Sequence, residues 1–313
     1  MGRKTDMTLL DESASGVYII AVTPFFDNGA IDTASTERMI EFYLERGATG
    51  LTILGMMGEA PKLSGAEASG FARHVVRRVA GRVPVIVGAS SPGFAAMREL
   101  SESVMNDGAA GVMVAPITGL RTDDSIFNYF ANVAETLGKI PFVLQDFPQT
   151  TAVQIAPAVI RRIVDALPSC VMLKHEDWPG LNKISFLRDA VGMRRISILV
   201  GNGGLFLPEE LRRGADGAMT GFAFPEMMAG VLAAHLAGDE GRAADIFDAY
   251  LPLARYELQP GPGLAVRKYI LAKRGAIASA AQRTPRVSLN ARELAEVEFL
   301  LVRQQRRLRE IGA

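Results

Sequence analysis

Eight short apolar runs, separated by stretches of helical spacing, restrict this chain to very few architectures. The runs lie at 17–22 (VYIIAV), 50–54 (GLTIL), 83–88 (VPVIVG), 111–115 (GVMVA), 141–145 (PFVLQ), 170–174 (CVMLK), 196–200 (ISILV) and 216–220 (DGAMT). Each is mostly apolar with little polar alternation, the pattern of parallel strands covered on both faces. Between them, segments such as TASTERMIEFYLERGA and SGAEASGFARHVVRRVAG carry apolar residues three and four apart, as one face of a helix does. Strand and helix therefore alternate eight times, and a (β/α)8 barrel closes at eight. The repeat of about 30 residues is too irregular for a solenoid.

Beyond Thr220 the strand signals stop. EMMAGVLAAHLAGDEGRAADIFDAYLPLARYEL, GLAVRKYILAKRGA and NARELAEVEFLLVRQQRRL are helical in pattern. Residues 1–224 are expected to form the barrel core, and 225–313 the last barrel helix and a C-terminal helical extension. No linker or compositional break separates them, so the extension is expected to pack on the barrel rather than fold alone. A length of 313 residues suits one α/β barrel.

Composition excludes several classes of function. Lys+Arg and Asp+Glu are both 34, and no basic stripe stands out, which argues against a nucleic-acid partner. No apolar stretch is long enough to span a bilayer, and the start MGRKTDMTLLDES lacks a signal-peptide core. A cytoplasmic enzyme without membrane contact is expected. The single Cys170 rules out a disulfide framework within the chain and any multi-cysteine zinc site. His74, His175 and His235 are scattered and read as surface or packing residues, so no metal is expected.

Within VMLKHEDWP, an apolar strand ends on Lys174. In barrels of this kind catalytic groups project from the C-terminal ends of strands. An ammonium partly desolvated in the barrel mouth has a lowered pKa, which frees an amine to attack a carbonyl. The structural alternative is a lysine that emerges at a strand end and pairs with Glu176 or Asp177. Strand alternation turns His175 away from the side that Lys174 takes.

The surrounding motifs resemble the dihydrodipicolinate synthase / N-acetylneuraminate lyase family. GVYIIAVTPFFDNGAID is similar to its first strand and loop, and GLTILGMMGEAPKLSGAE to its second-strand motif. VPVIVGAS, DGAAGVMVAPI, VLQDFP, VMLKHE, GADGAMTGFAFPE and QPGPGLAVRKYILAKRGAI follow in the family's order and spacing. The resemblance covers nearly the whole chain. It implies a (β/α)8 barrel with a C-terminal helical region, a Schiff base between Lys174 and a 2-keto acid, and a homo-oligomer. A protonated imine accepts the negative charge that develops at C3 far better than a ketone does. No metal or organic cofactor is then required.

The departures from the family pattern are informative. Met56 and Met57 stand where the family has two threonines that grip the keto-acid carboxylate. The backbone N–H groups of the Gly55–Gly58 turn remain as candidate carboxylate donors; alternatively, the methionines pack a vestigial pocket. Gln145, in Gln145-Asp146-Phe147-Pro148, replaces the family's proton-relaying tyrosine, and an amide orients water or substrate but is no ordinary acid or base. Tyr18 and Thr23 are then candidate relays, while Asp146 alternates to the face opposite Gln145. Thr150 aligns with the arginine that holds the aldehyde substrate's carboxylate in the synthases. Thr118 aligns with their second tyrosine, with Arg121 nearby. Gly201 and Met219, from VGNGG and GADGAMTG, are expected to line the keto-acid pocket.

These features favour a class I lyase that dehydrates or cleaves a 2-keto-3-deoxy sugar acid, with Lys174 as nucleophile and Gln145 orienting substrate or water. The glutamine–aspartate pair and LPLARYELQPGPG resemble a branch similar to 2-keto-3-deoxyarabonate dehydratase. Three alternatives stand beside it. One is synthase-like aldol condensation of pyruvate. Another is a degenerate barrel that binds keto acids without turnover. The third is a flavin or phosphosugar enzyme using the glycines after strands seven and eight as a phosphate grip.

Overall fold

The computed structural model describes residues 9–178 and 180–312. Eight parallel strands close into a barrel in chain order. They are β1 (Gly16–Ile20), β2 (Gly50–Ile53), β3 (Val85–Gly88), β4 (Gly111–Val114), β5 (Phe142–Asp146), β6 (Cys170–His175), β7 (Ser197–Val200) and β8 (Gly217–Thr220). All eight expected strands form, and the architecture is the expected (β/α)8 barrel with helices between strands and a helical extension at the C-terminus. β5 and β6 each run one residue further than their sequence patterns, to Asp146 and His175. That extra residue adds a rung between the two strands, Asp146 opposite His175.

Alternation along each strand separates two cores. Val17, Ile19, Leu51, Ile53, Val112, Leu144, Leu173, Ile198 and Ala218 face outward and join the large cluster beneath the helices. Tyr18, Ile20, Ile86, Met113, Val143, Met172, Leu199 and Met219 face inward and fill the barrel. Because the strands tilt, residues at one height shift by about one position per strand relative to the hydrogen-bonded row, and alternate strands supply each layer. Applied to the observed register, this gives one layer of Thr52, Met113, Lys174 and Met219. Above it, toward the C-terminal mouth, lie Ile20, Gly88, Gln145 and Gly201; below it lie Tyr18, Ile86, Val143 and Leu199.

The eighth barrel helix, Pro225–Leu236, is followed by helices Glu240–Glu257, Gly263–Lys273 and Ala291–Glu310. Phe247, Tyr250, Leu253, Val266, Ile270 and Leu271 of these helices belong to the same cluster as the outward faces of the strands. Among the described residues, no helix is long and apolar enough to cross a membrane.

Closure of the barrel depends on a glycine contact. Gly16 pairs with Gly217 where β1 meets β8, and Gly217 has φ +145°. A Cβ on Gly217 would lie 1.9 Å from the backbone oxygen of Gly16, an atom that cannot swing away. Gly217→Ala is therefore expected to lower stability by more than about 2 kcal/mol, measured as a shift of the denaturation midpoint against wild type.

Candidate active site

Lys174 is buried at the mouth end of β6, in register with Gln145 on β5 and Leu199 on β7. Its Nζ lies 2.9 Å from Glu176 Oε2. Gln145 Nε2 donates to the same oxygen at 2.7 Å. The ion pair that the sequence offered as a structural alternative does form, but inside the mouth and with a carboxylate that is itself buried. Two donors converge on one oxygen, which holds the carboxylate in a single orientation. Gln145 thus contacts Glu176, the group that the sequence reading left out of the chemistry. The missed signal was the spacing: residues i and i+2 at a strand end share a face.

Backbone contacts fix Glu176 further. Its N–H donates to Asp146 O at 2.9 Å, and Asn202 Nδ2 donates to its carbonyl at 3.1 Å. Gly201 leaves the space that the side chain fills, since a Cβ there would lie 2.1 Å from Glu176 Cγ. Gly201 therefore lines the site by making room for the carboxylate.

The residues between these turn outward, as alternation requires. Asp146 accepts from Lys183 Nζ at 2.7 Å, and the same ammonium lies 2.8 Å from Asp177. His175 has Nδ1 at 3.6 Å from Asp146 and Nε2 at 3.1 Å from Gly180 O. This cluster lies behind the Gln145–Lys174 pair and ties β5, β6 and the loop after β6 to helix Leu181–Asp189. His74 lies 3.5 Å from Glu37 and His235 2.6 Å from Glu240, both away from the mouth. Among the described residues no three His, Cys, Asp or Glu side chains gather in a metal-binding group. Burial pushes the Cys170 thiol up to about 12, which leaves it inert as a nucleophile.

The Gly55–Gly58 turn follows β2 directly. Leu54 and Glu59, on either side of it, both adopt left-handed backbone at φ 55°, a cost of order 1–3 kcal/mol each that the surroundings must offset. Gly58 N donates to Gly55 O and Glu59 N to Met56 O, both at 3.0 Å. The first N–H groups of a helical turn have no partner within it, so the candidate anion donors narrow to those of Met56 and Met57. Met56 is exposed, while Met57 packs on the inward cluster. Thr23 Oγ1 donates to Gly58 O at 2.6 Å, so this hydroxyl braces the turn.

The turn is also held from the C-terminal extension. Lys268 is fully buried, and its Nζ donates to Thr23 O at 2.8 Å, Glu59 Oε1 at 2.6 Å and Ala281 O at 2.7 Å. Burial pulls this ammonium below the usual lysine range, and Glu59 opposes that pull. Glu59 Oε2 accepts from Lys62 Nζ at 2.9 Å and from Arg283 N at 3.0 Å. Glu59 and Lys268 are 209 positions apart, and no local sequence pattern links them.

Tyr18 is not where a proton relay would need to be. Its ring lies over Gly50, whose added Cβ would be 2.3 Å from the ring, and it reaches a cavity lined by Leu10, Asp11 and Val85 at the N-terminal end of the barrel. Burial, with Asp11 adding to it, pushes its hydroxyl up to about 12. Alternation predicts that residue 18 points inward but says nothing of height along the axis. Met219 is buried in the layer that holds Lys174. Thr118 is exposed on the loop after β4, and Thr150 is exposed on the short helix Pro148–Thr151.

A family model described as the dihydrodipicolinate synthetase family matches residues 13–304. The chain belongs to this family. It is accordingly an enzyme, a class I lyase of the aldolase and dehydratase kind. It is 31% identical over 288 residues to an L-2-keto-3-deoxyarabonate dehydratase of Azospirillum brasilense, covering 90% of this chain and 92% of the relative. A crystal structure of a dihydrodipicolinate synthase from Rhodopseudomonas palustris is 52% identical, with a TM-score of 0.93 over 95% of this chain and 99% of that one. A prophage protein of the same family from E. coli K12, solved in complex with pyruvate, is 25% identical, with a TM-score of 0.84 over 93% of this chain and 98% of that one.

The Lys268–Glu59 pair yields a stability prediction. Lys268→Met leaves Glu59 buried with fewer partners and is expected to cost at least about 2 kcal/mol. Denaturant unfolding checks it; an unchanged midpoint would show that the extension does not anchor the turn.

Proposed function

We propose that this enzyme forms an imine between Lys174 and a 2-keto-3-deoxy sugar acid and dehydrates it, with Glu176 moving the protons. The observation that carries this reading is the buried Glu176 carboxylate, 2.9 Å from Lys174 Nζ and held by Gln145 at the position where an amide replaces the family's tyrosine. Glu176 takes a proton from the Lys174 ammonium, and the freed amine attacks the keto carbon, a proton passing from the new C–N nitrogen to the carbonyl oxygen to give the carbinolamine. Glu176 returns the proton to the carbinolamine hydroxyl, which leaves as water and gives the protonated imine. A proton then passes from C3 to Glu176, forming an enamine. The enamine expels the C4 hydroxyl, with the Glu176 proton completing the water. Gln145 keeps the carboxylate aimed through each step, and the N–H groups of Met56 and Met57 receive the substrate carboxylate.

Retro-aldol cleavage begins from the same imine and uses the same carboxylate on the C4 hydroxyl proton. Dehydration is preferred because this chain shares nearly its full length with a relative that carries that activity. Synthase-type condensation is the second reading, favoured by the 52% identity to a protein described as a dihydrodipicolinate synthase. Against it stands Thr150 in place of an arginine, since an unpaired carboxylate loses both energy and orientation.

Three measurements test this function. Borohydride with pyruvate is expected to add mass to one peptide, the one containing Lys174, and Lys174→Arg should abolish the labelling because a guanidinium stays protonated. Labelling elsewhere removes the mechanism. Glu176→Gln keeps the shape of the site but cannot accept a proton. It is expected to lower kcat at least about 100-fold, within the range for general acid–base catalysis. Near-wild-type turnover would remove Glu176 from the chemistry. A panel of 2-keto-3-deoxy acids, with aspartate semialdehyde plus pyruvate as its synthase arm, should give dehydrated product from the former and little cyclised product from the latter.

A further inference from the structure

Thr52 is the third residue of β2 and is fully buried. Its register neighbours are Ile20 and Ile86, both inward-facing, so its side chain also points into the barrel. It belongs to the layer that holds Lys174, and the chain runs from it through Ile53 and Leu54 straight into the Gly55–Gly58 turn. Among the described residues its Oγ1 has no hydrogen-bond partner. A buried hydroxyl without a partner is costly, and a valine of the same shape would avoid that cost. Two of its three companions in the layer are Met113 and Met219, which offer no comparable donor. A buried hydroxyl that its described neighbours leave unpaired is a candidate donor to a ligand.

The substitution pattern points to one. Met56 and Met57 carry no hydroxyls, and the turn offers only backbone donors to a carboxylate. The turn sits over the interior: a Cβ on Gly55 would lie 3.4 Å from Ile20 Cγ2 and 3.7 Å from Met113 Cε. A keto acid joined to Lys174 with its carboxylate under the turn therefore comes to rest above the Thr52 layer. We propose that the Thr52 hydroxyl is a substrate-binding donor to the keto-acid carboxylate, supplying from the barrel floor a hydrogen bond that residues 56 and 57 cannot give. The proposal rests on the reading that Lys174 forms the imine and the turn receives the carboxylate.

Thr52→Val separates this role from a structural one. A structural hydroxyl would lose stability when removed. An unpartnered one should leave Tm unchanged or raise it by about 2 °C or more. The binding readout is the pyruvate concentration that gives half-maximal borohydride trapping at Lys174. Thr52→Val is expected to raise it about 10-fold with the same maximal labelling, as for loss of one hydrogen bond to a charged group. Thr52→Ser, which keeps the hydroxyl, should stay near wild type. Pyruvamide, with no carboxylate, should be trapped equally by wild type and Thr52→Val. A Tm loss in Thr52→Val, or an unchanged half-saturation for pyruvate, would overturn the proposal. Wild type that traps pyruvate no better than pyruvamide would instead overturn the carboxylate reading on which it rests. Pyruvate lacks the hydroxylated tail, so the result does not depend on which sugar acid is the natural substrate.

Discussion

One buried ion pair, Lys174 with Glu176, sets the terms for the rest of the mouth. An ammonium taken out of water is tolerated only with a close counter-charge and further hydrogen bonds. Glu176 supplies the charge, and Gln145 adds a bond to the carboxylate oxygen that Lys174 already contacts. The carboxylate must stand on the same face as the lysine, which two-residue spacing at the end of β6 provides. It must also have room, which Gly201 provides by lacking a Cβ. The intervening His175 then has to face outward, where it meets Asp146 and Lys183. Strand parity thus generates a reactive polar cluster inside the barrel and a bracing one behind it from a single run of sequence.

The other half of the site is built from backbone, and backbone donors are useful only if they are held still. Left-handed residues at Leu54 and Glu59 bound the turn, and such a conformation persists where its surroundings over-determine it. Those surroundings are Thr23 bonded to Gly58 O and the Lys268–Glu59 pair, with Lys62 and the Arg283 N–H on the second oxygen of Glu59. The extension is therefore what holds this turn in shape, and under the proposed function it supports carboxylate binding without touching the substrate. Its charges are spent on fixing the shape of a turn whose own side chains are thioethers.

What the sequence made legible follows from the range of each interaction. Periodicity is local, so all eight strands, the helical extension and the inward lysine could be read directly. The outward turn of Asp146 and His175 also followed, because parity is a nearest-neighbour property. Tyr18 shows the limit: parity gives the face but not the height, and height depends on a register spread over all eight strands. Lys268 and Glu59 meet across 209 positions, and Thr52 becomes a candidate only once the described residues around it are seen to leave its hydroxyl unpaired. Glu176 was visible as a charge beside Lys174. It reads as a surface counter-ion until the structure shows it buried with Gln145.

Overall similarity and local chemistry pull in different directions here. An identity of 52% to a protein described as a dihydrodipicolinate synthase is measured over 95% of this chain, and most of that length lies away from the barrel mouth. The reaction is decided by very few side chains. Condensation with an aldehyde that carries its own carboxylate needs a cation to hold that second charge. The aligned Thr150 is uncharged and exposed. Elimination of a hydroxyl needs instead a base close to C3 that can return its proton to the departing oxygen. If Lys174 forms the imine as proposed, a carboxylate hydrogen-bonded to that lysine has both atoms within reach, because C3 is the carbon adjacent to the imine and the leaving hydroxyl is carried by the next carbon, C4. In the proposed dehydration a short route between Lys174, C3 and the C4 oxygen is enough, and Glu176, 2.9 Å from Lys174 Nζ and held by Gln145, is the group proposed to supply it.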